Sequence, residues 1–121
     1  MRSLRGSAMQ EEIQRLLSEI QRAKFTERRS EPRHPFVRPV RIYQKRDQVT
    51  IAFSKDMSAQ GIGVISDVQW TPGTIADLWI HSTSGHPVCM RCEVRWTDNY
   101  GRGWFLTGWK FLSTVACPPG V

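Results

Sequence analysis

At 121 residues the chain is sized for one domain with a single modest core. Seventeen Lys and Arg against eleven Asp and Glu give a formal charge of +6, which points to an anionic partner, and twelve of those seventeen cations fall between Arg2 and Arg46. No run of about 18 apolar residues exists to span a membrane, the start Met1-Arg2-Ser3-Leu4-Arg5-Gly6 lacks the apolar core of a secretory signal, and the expected location is cytoplasmic. Three cysteines, an odd number without an export signal, argue against a disulfide framework and fit a reducing compartment.

The first predicted element is an amphipathic helix from about Met9 to Phe25. Met9, Ile13, Leu16, Leu17 and Ile20 recur at helical spacing, with Glu11, Glu12, Gln14, Arg15, Glu19 and Arg22 on other faces. Ser7 and Gln10 fit a capping box at its start, and Glu11 and Glu12 suit the positive end of the helix dipole. The apolar stripe is expected to pack on the chain's own sheet. The competing use is a homodimer or partner contact, but fewer than three heptads make a weak coiled coil.

From Thr26 to Pro39, prolines at 32, 35 and 39 rule out helix and favour extended backbone, so this segment is expected to be a mobile arm. Short β-like runs follow at Val40–Tyr43, Val49–Phe53, Ile62–Ile65, Ile75–Ile80, Val88–Trp96 and Trp104–Phe111. Asp47, Asp56–Gly61, Pro72-Gly73, Ser84-Gly85 and Asp98–Gly103 supply the turn chemistry between them. Six short strands at regular spacing suggest a sandwich or a small barrel, and periodicity does not choose between the two.

The arm carries Arg28-Arg29-Ser30-Glu31-Pro32-Arg33, an R-R-x-x-x-R spacing, and Asp56-Met57-Ser58-Ala59-Gln60-Gly61 supplies D-x-S-x-x-G about one strand later. The pair, in this order, resembles the signature of the PilZ domain family, bacterial receptors for the cyclic dinucleotide c-di-GMP. Thr107-Gly108-Trp109-Lys110-Phe111 is also similar to the family's G-x-x-F closing strand. The resemblance implies an all-β fold: a six-stranded antiparallel barrel over residues 27–113, preceded by a tail and helix over 1–26 and followed by a tail over 114–121.

It also implies a site. Arginine pairs bidentately with phosphate, matches the O6/N7 edge of guanine and stacks through its guanidinium face, which suits Arg28, Arg29 and Arg33 to a ligand with two phosphates and two guanines. Asp56 can accept from guanine N1 and N2, and Ser58 adds a short hydroxyl. Gly61 permits positive φ and close approach of the backbone. Trp96 stands where some members place an aromatic near the ligand, and it is equally suited to the core. In this family an arginine immediately before R-x-x-x-R accompanies an intercalated pair of ligands, so Arg28 implies two c-di-GMP per protomer. Taken singly, the arginines are also compatible with a solvated basic linker, and Asp56-Met57-Ser58 with a local Asx-type turn.

Other chemistry is thinly represented. Cys89-Met90-Arg91-Cys92 is a C-x-x-C, and Cys117, His81 and His86 raise zinc or redox chemistry. Residues three apart on a strand point to opposite faces, which argues against a shared metal. His34, His81 and His86 lack a nucleophile motif, and the chain is read as a non-enzyme that needs no cofactor. A basic barrel with five tryptophans also has the composition of a single-stranded nucleic-acid binder, disfavoured because the arginines concentrate in one arm. A PilZ-like adaptor without ligand is disfavoured by the intact signature. With no output segment recognised, the resemblance implies relay to a separate, unidentified effector protein.

Overall fold

The computed structural model describes residues 3–20, 33–45 and 47–118. One helix, α1 (Ser3–Ile20), precedes seven strands: β1 (His34–Pro35), β2 (Pro39–Lys45), β3 (Gln48–Met57), β4 (Gly61–Ser66), β5 (Ile75–Ile80), β6 (Val88–Gly101) and β7 (Trp104–Thr114). All pairings are antiparallel, in the order β1-β3-β2-β5-β6-β7-β4. A further pairing of β3 with β4 closes the six long strands into a barrel, which settles the choice that periodicity left open.

Period-two alternation fills the barrel. Val40 and Ile42, Val64, Leu78 and Ile80, Met90, Cys92 and Val94, and Trp109 and Phe111 all turn inward and lie within one buried cluster. Trp70, from the loop after β4, meets Trp109 edge to face at 5.5 Å between ring centroids and joins the same core.

Ile13, Leu16 and Leu17 of α1 are buried in this same cluster, with Met9 packed at its edge. The stripe therefore serves the chain's own core, as its length suggested. Polar contacts fix the helix in place. Glu19 Oε1 lies 2.5 Å from Arg38 Nη1, Ser82 Oγ donates to Glu19 Oε2 at 2.8 Å, and Arg15 Nη1 donates to the His86 carbonyl at 3.1 Å.

Several boundaries differ from the sequence expectation. The helix begins at Ser3, so Ser7 lies inside it and not at its start; Gly6 and Ser7 lower helix propensity without blocking it. The stretch 21–25 of the expected helix lies outside the described residues. β6 and β7 run on as a long hairpin through the expected turn at Asp98–Gly103, leaving only Arg102-Gly103 between them. Gly101, Arg102 and Gly103 take left-handed φ values of 107°, 56° and 85°.

The cysteine reading also needs correction. Cys89 on β6 and Cys117 after β7 form a disulfide, with Cα atoms 5.4 Å apart and a sequence separation of 28. An odd count excludes only a framework that uses every cysteine. Cys92 is the free one: it sits in the core, where burial and the nearby Asp77 charge push its thiol pKa far upward. With Cys89 bonded and Cys92 facing the core, the C-x-x-C pair cannot converge on one ion. Among the described residues, no helix is long and apolar enough to cross a membrane.

Candidate functional site

Asp56 is the last outward-facing residue of β3 and not part of a turn, as its motif suggested. The turn itself is Ser58-Ala59-Gln60, closed by Ser58 N–H donating to the Gly61 carbonyl at 2.9 Å and by Gln60 N–H donating to Ser58 Oγ at 3.2 Å. Ser58 thus does the local work of a serine turn, and it is 2% exposed. Gly61 opens β4, and among the described residues left-handed φ is confined to other glycines and Arg102. Its requirement for glycine is steric, because a β-carbon there would lie 2.3 Å from the backbone oxygen of Trp109 on β7. Gly63 is needed for a related reason: a β-carbon would lie 2.6 Å from Asp56 Oδ1.

Arg33 reaches this turn from the segment before β1. Its Nη2 and Nε donate to Asp56 Oδ1 at 2.8 and 3.3 Å, and its Nη1 donates to Ser58 Oγ at 3.3 Å. β1 explains the placement, since His34 and Pro35 pair with Met57 and Asp56 and bring the neighbouring arginine alongside. The expected mobile arm is therefore docked at its C-terminal end, with one arginine held by the second motif. Arg28 and Arg29 lie outside the described residues.

An open cleft of about 300 Å³ adjoins this pair, lined by Arg33, Ser58, Gly61 and Trp96 together with Arg95 and Lys110. Trp96 reaches it through a β-bulge. Val94 opposes Trp109 and Trp96 opposes Gly108, so two residues of β6 advance against one of β7. Without that extra residue Trp96 would continue the inward series of Cys92 and Val94. With it, the indole turns outward, is 43% exposed, and lies over Gly108, where a β-carbon would fall 2.3 Å from the ring.

The same bulge exposes Arg95 on the cleft side. Lys110 arrives through cross-strand register, opposite Gly61. Neither was singled out from the sequence. The available signal was the local run Arg95-Trp96, a cation beside an aromatic, and Lys110 within the G-x-x-F stretch. The cleft so combines three cationic side chains, a carboxylate at its edge, a buried hydroxyl and one exposed indole face. Such a set can bind phosphate, accept from a purine edge and stack a base.

Comparison with known proteins bears on family and fold. The PilZ domain family matches residues 27–116. Among solved structures, the chain is similar to the PilZ-domain protein MotI/DgrA, the inhibitor of motility of Bacillus subtilis, at 21% identity and a TM-score of 0.59 over 75% of this chain. That likeness is one of fold, and it spans only 46% of the Bacillus protein. No curated protein matches the chain. With the family matched across most of its length, and with the closed six-stranded barrel and helix in place, the chain belongs to the PilZ domain family.

Proposed function

We propose that the protein binds c-di-GMP in the cleft between Arg33 and Trp96 and relays its presence to a separate effector protein. The observation that carries the reading is the meeting of Arg33 with Asp56 and Ser58, residues 23 and 25 positions away, at the mouth of a cationic cleft with an exposed indole. In this reading Arg33, Arg95 and Lys110 face phosphate, Asp56 accepts from guanine N1 and N2, Ser58 supports the turn, Gly61 admits the close β4–β7 approach, and Trp96 stacks a base. Arg28 and Arg29 complete the cationic set from the segment preceding Arg33.

Asp56 now has two clients. A ligand phosphate that takes Arg33 frees Asp56 Oδ1 for guanine, so the existing pair keeps both groups in place for exchange. The relay follows from connectivity: residues 21–33 join α1 to β1, so a ligand that engages Arg28, Arg29 and Arg33 acts on the chain between those two elements. The energy available for this shift is limited to the difference in ligand affinity between the two arrangements.

Calorimetric titration with c-di-GMP, alongside a single-stranded oligonucleotide, tests the reading. Tight binding of c-di-GMP is expected, with Arg33→Ala losing roughly 2 kcal/mol or more, about 30-fold in Kd. Stronger binding of the oligonucleotide, or an Arg33→Ala variant with parental affinity, would overturn it. Arg28 carries the stoichiometry. The parent is expected to take two ligands per chain and Arg28→Leu one, and equal end points for the two proteins would remove the paired-ligand reading.

A further inference from the structure

Asp56 and Trp96 reach the outer face of the barrel by the same device. On β3, Ser54 opposes Val64 and Asp56 opposes Gly63, so Lys55 is an extra residue against β4, and Asp56 turns outward instead of continuing the buried series of Ala52 and Ser54. Lys55 Nζ stands 3.7 Å from Asp56 Oδ2, while Arg33 holds Oδ1. A second bulge lies on the other side of β3. Between the pairs Pro35–Asp56 and Pro39–Phe53, the residues Phe36, Val37 and Arg38 run against Ser54 and Lys55, and Val37 is 71% exposed.

The strand that brings Arg33 to the cleft is short of hydrogen bonds. β1 is two residues long, and Pro35 and Pro39 have no N–H to give. Phe36 N–H donates to the Lys55 carbonyl at 3.0 Å, and Ser54 N–H donates to the Arg38 carbonyl at 2.9 Å. The Ser54 side chain adds to this sparse ladder. Its Oγ accepts from Arg38 N–H at 2.9 Å and donates to the Phe36 carbonyl, so it grips the Val37 bulge at both ends. Ser54 is 1% exposed, and an alanine there would deprive a backbone donor and a backbone acceptor of this partner. Phe36 remains anchored in the core by its ring, so the barrel does not depend on the hydroxyl.

We infer that Ser54 is a positioning residue for the cleft: its hydroxyl pins the Val37 bulge to β3 and thereby keeps β1, and the adjoining Arg33, in register with Asp56. This role rests on the c-di-GMP reading of the cleft, and Ser54 itself lies outside the cleft lining. The Arg33–Asp56 pair cannot do the same work, because in that reading a ligand phosphate takes Arg33 from the carboxylate. Backbone pairing of β1 must hold the arginine at the cleft mouth while that exchange occurs. With the pin lost, the docked fraction of the arm falls, and apparent affinity falls in proportion.

Calorimetry with c-di-GMP at a temperature where every variant is folded, joined to amide hydrogen exchange of the unliganded chain, tests this role. Ser54→Ala is expected to weaken binding about tenfold, and Ser54→Cys, which keeps the shape and a weak donor, to weaken it less. Ser66→Ala is the control: Ser66 is equally buried, its Oγ bonds the Val68 backbone, and it lies at the far end of β4 from Gly61, so affinity should stay at the parent's. In an Arg33→Ala background, Ser54→Ala should cost nothing more, as expected of two residues that act through one contact. The Phe36 amide should exchange about tenfold or more faster in Ser54→Ala, while the amides of β5 keep parental rates. If Ser54→Ala does not fold, Ser54→Cys carries the same comparisons. Parental affinity in the folded Ser54 variants, an equal loss in Ser66→Ala, or a full further loss in the Arg33→Ala background would each overturn the role. If the parent takes up no c-di-GMP, the ligand reading fails instead, and unchanged Phe36 exchange in Ser54→Ala would remove the pin as well.

Discussion

A β-carbon at Gly108 would sit 2.3 Å from both the Nε1 and Cε2 atoms of Trp96, a separation no real contact tolerates. Because Trp96 is 43% exposed, its indole can swing away, and the barrel can keep its fold. Gly108→Ala should therefore leave thermal stability near the parent's while weakening c-di-GMP by about 1–3 kcal/mol, the worth of stacking one base. Gly61→Ala should behave in the opposite way. There the collision is with the Trp109 backbone oxygen, which cannot turn aside, so the cost falls on folding. Thermal melts and titrations of the two variants check this separation, and loss of stability in Gly108→Ala with intact affinity would contradict it. At this scale the sequence drew attention to the right neighbourhood through a short motif. Asp56 and Ser58 stand two residues apart and both meet Arg33, a direct contact that the motif reading did not name. Arg95 and Lys110 were not legible, because their placement depends on a bulge and on strand register, both of which are settled between strands and not within them.

The helix illustrates how an element can be legible in its face and illegible in its anchors. Ile13, Leu16 and Leu17 announced a buried stripe by their spacing alone. The polar clamp could not be anticipated, since Glu19 is on the helix, Arg38 precedes β2 and Ser82 follows β5, and only the fold brings the three together. Burial opposes ionisation of Glu19, but hydrogen bonds from Arg38 and Ser82, the Arg38 charge and the Thr83 backbone outweigh it and lower the pKa below the ordinary glutamate value. A carboxylate with a lowered folded pKa contributes stability that is complete above the unfolded glutamate range and is lost as pH falls through the folded value. Helix docking should thus weaken in acid. Melting temperatures taken between about pH 3 and pH 7 are expected to fall more steeply on the acid side for the parent than for Glu19→Gln, which has no charge to lose. Parallel curves for the two proteins would show that the clamp contributes nothing through ionisation.

In the whole molecule, alternation and turn residues marked the six longer strands but not β1, and closure was legible only through the resemblance to the PilZ family, not from periodicity. Closure depends on β4 reaching both β3 and β7, a long-range pairing with no local signature. The same limit hid the disulfide, whose partners lie on β6 and in the chain after β7. Val115 N–H also donates to the Cys89 carbonyl at 3.1 Å, so the segment following β7 is laid against β6 by a contact that does not involve the sulfurs. Cross-linking two points 28 residues apart restricts the unfolded chain more than the folded one and stabilises by about 3–4 kcal/mol on a chain-entropy estimate. For a domain of this size that corresponds to a shift in Tm on the order of 10 °C. The oxidised parent should lose this increment on addition of a thiol reductant, whereas Cys117→Ser should already melt at the lower temperature and respond little to reductant. Because the hydrogen bond and the buried core are independent of the sulfurs, both forms should keep the barrel's circular dichroism. A reductant effect of equal size in parent and Cys117→Ser would assign the sensitivity to some other group and remove the staple from the account of stability.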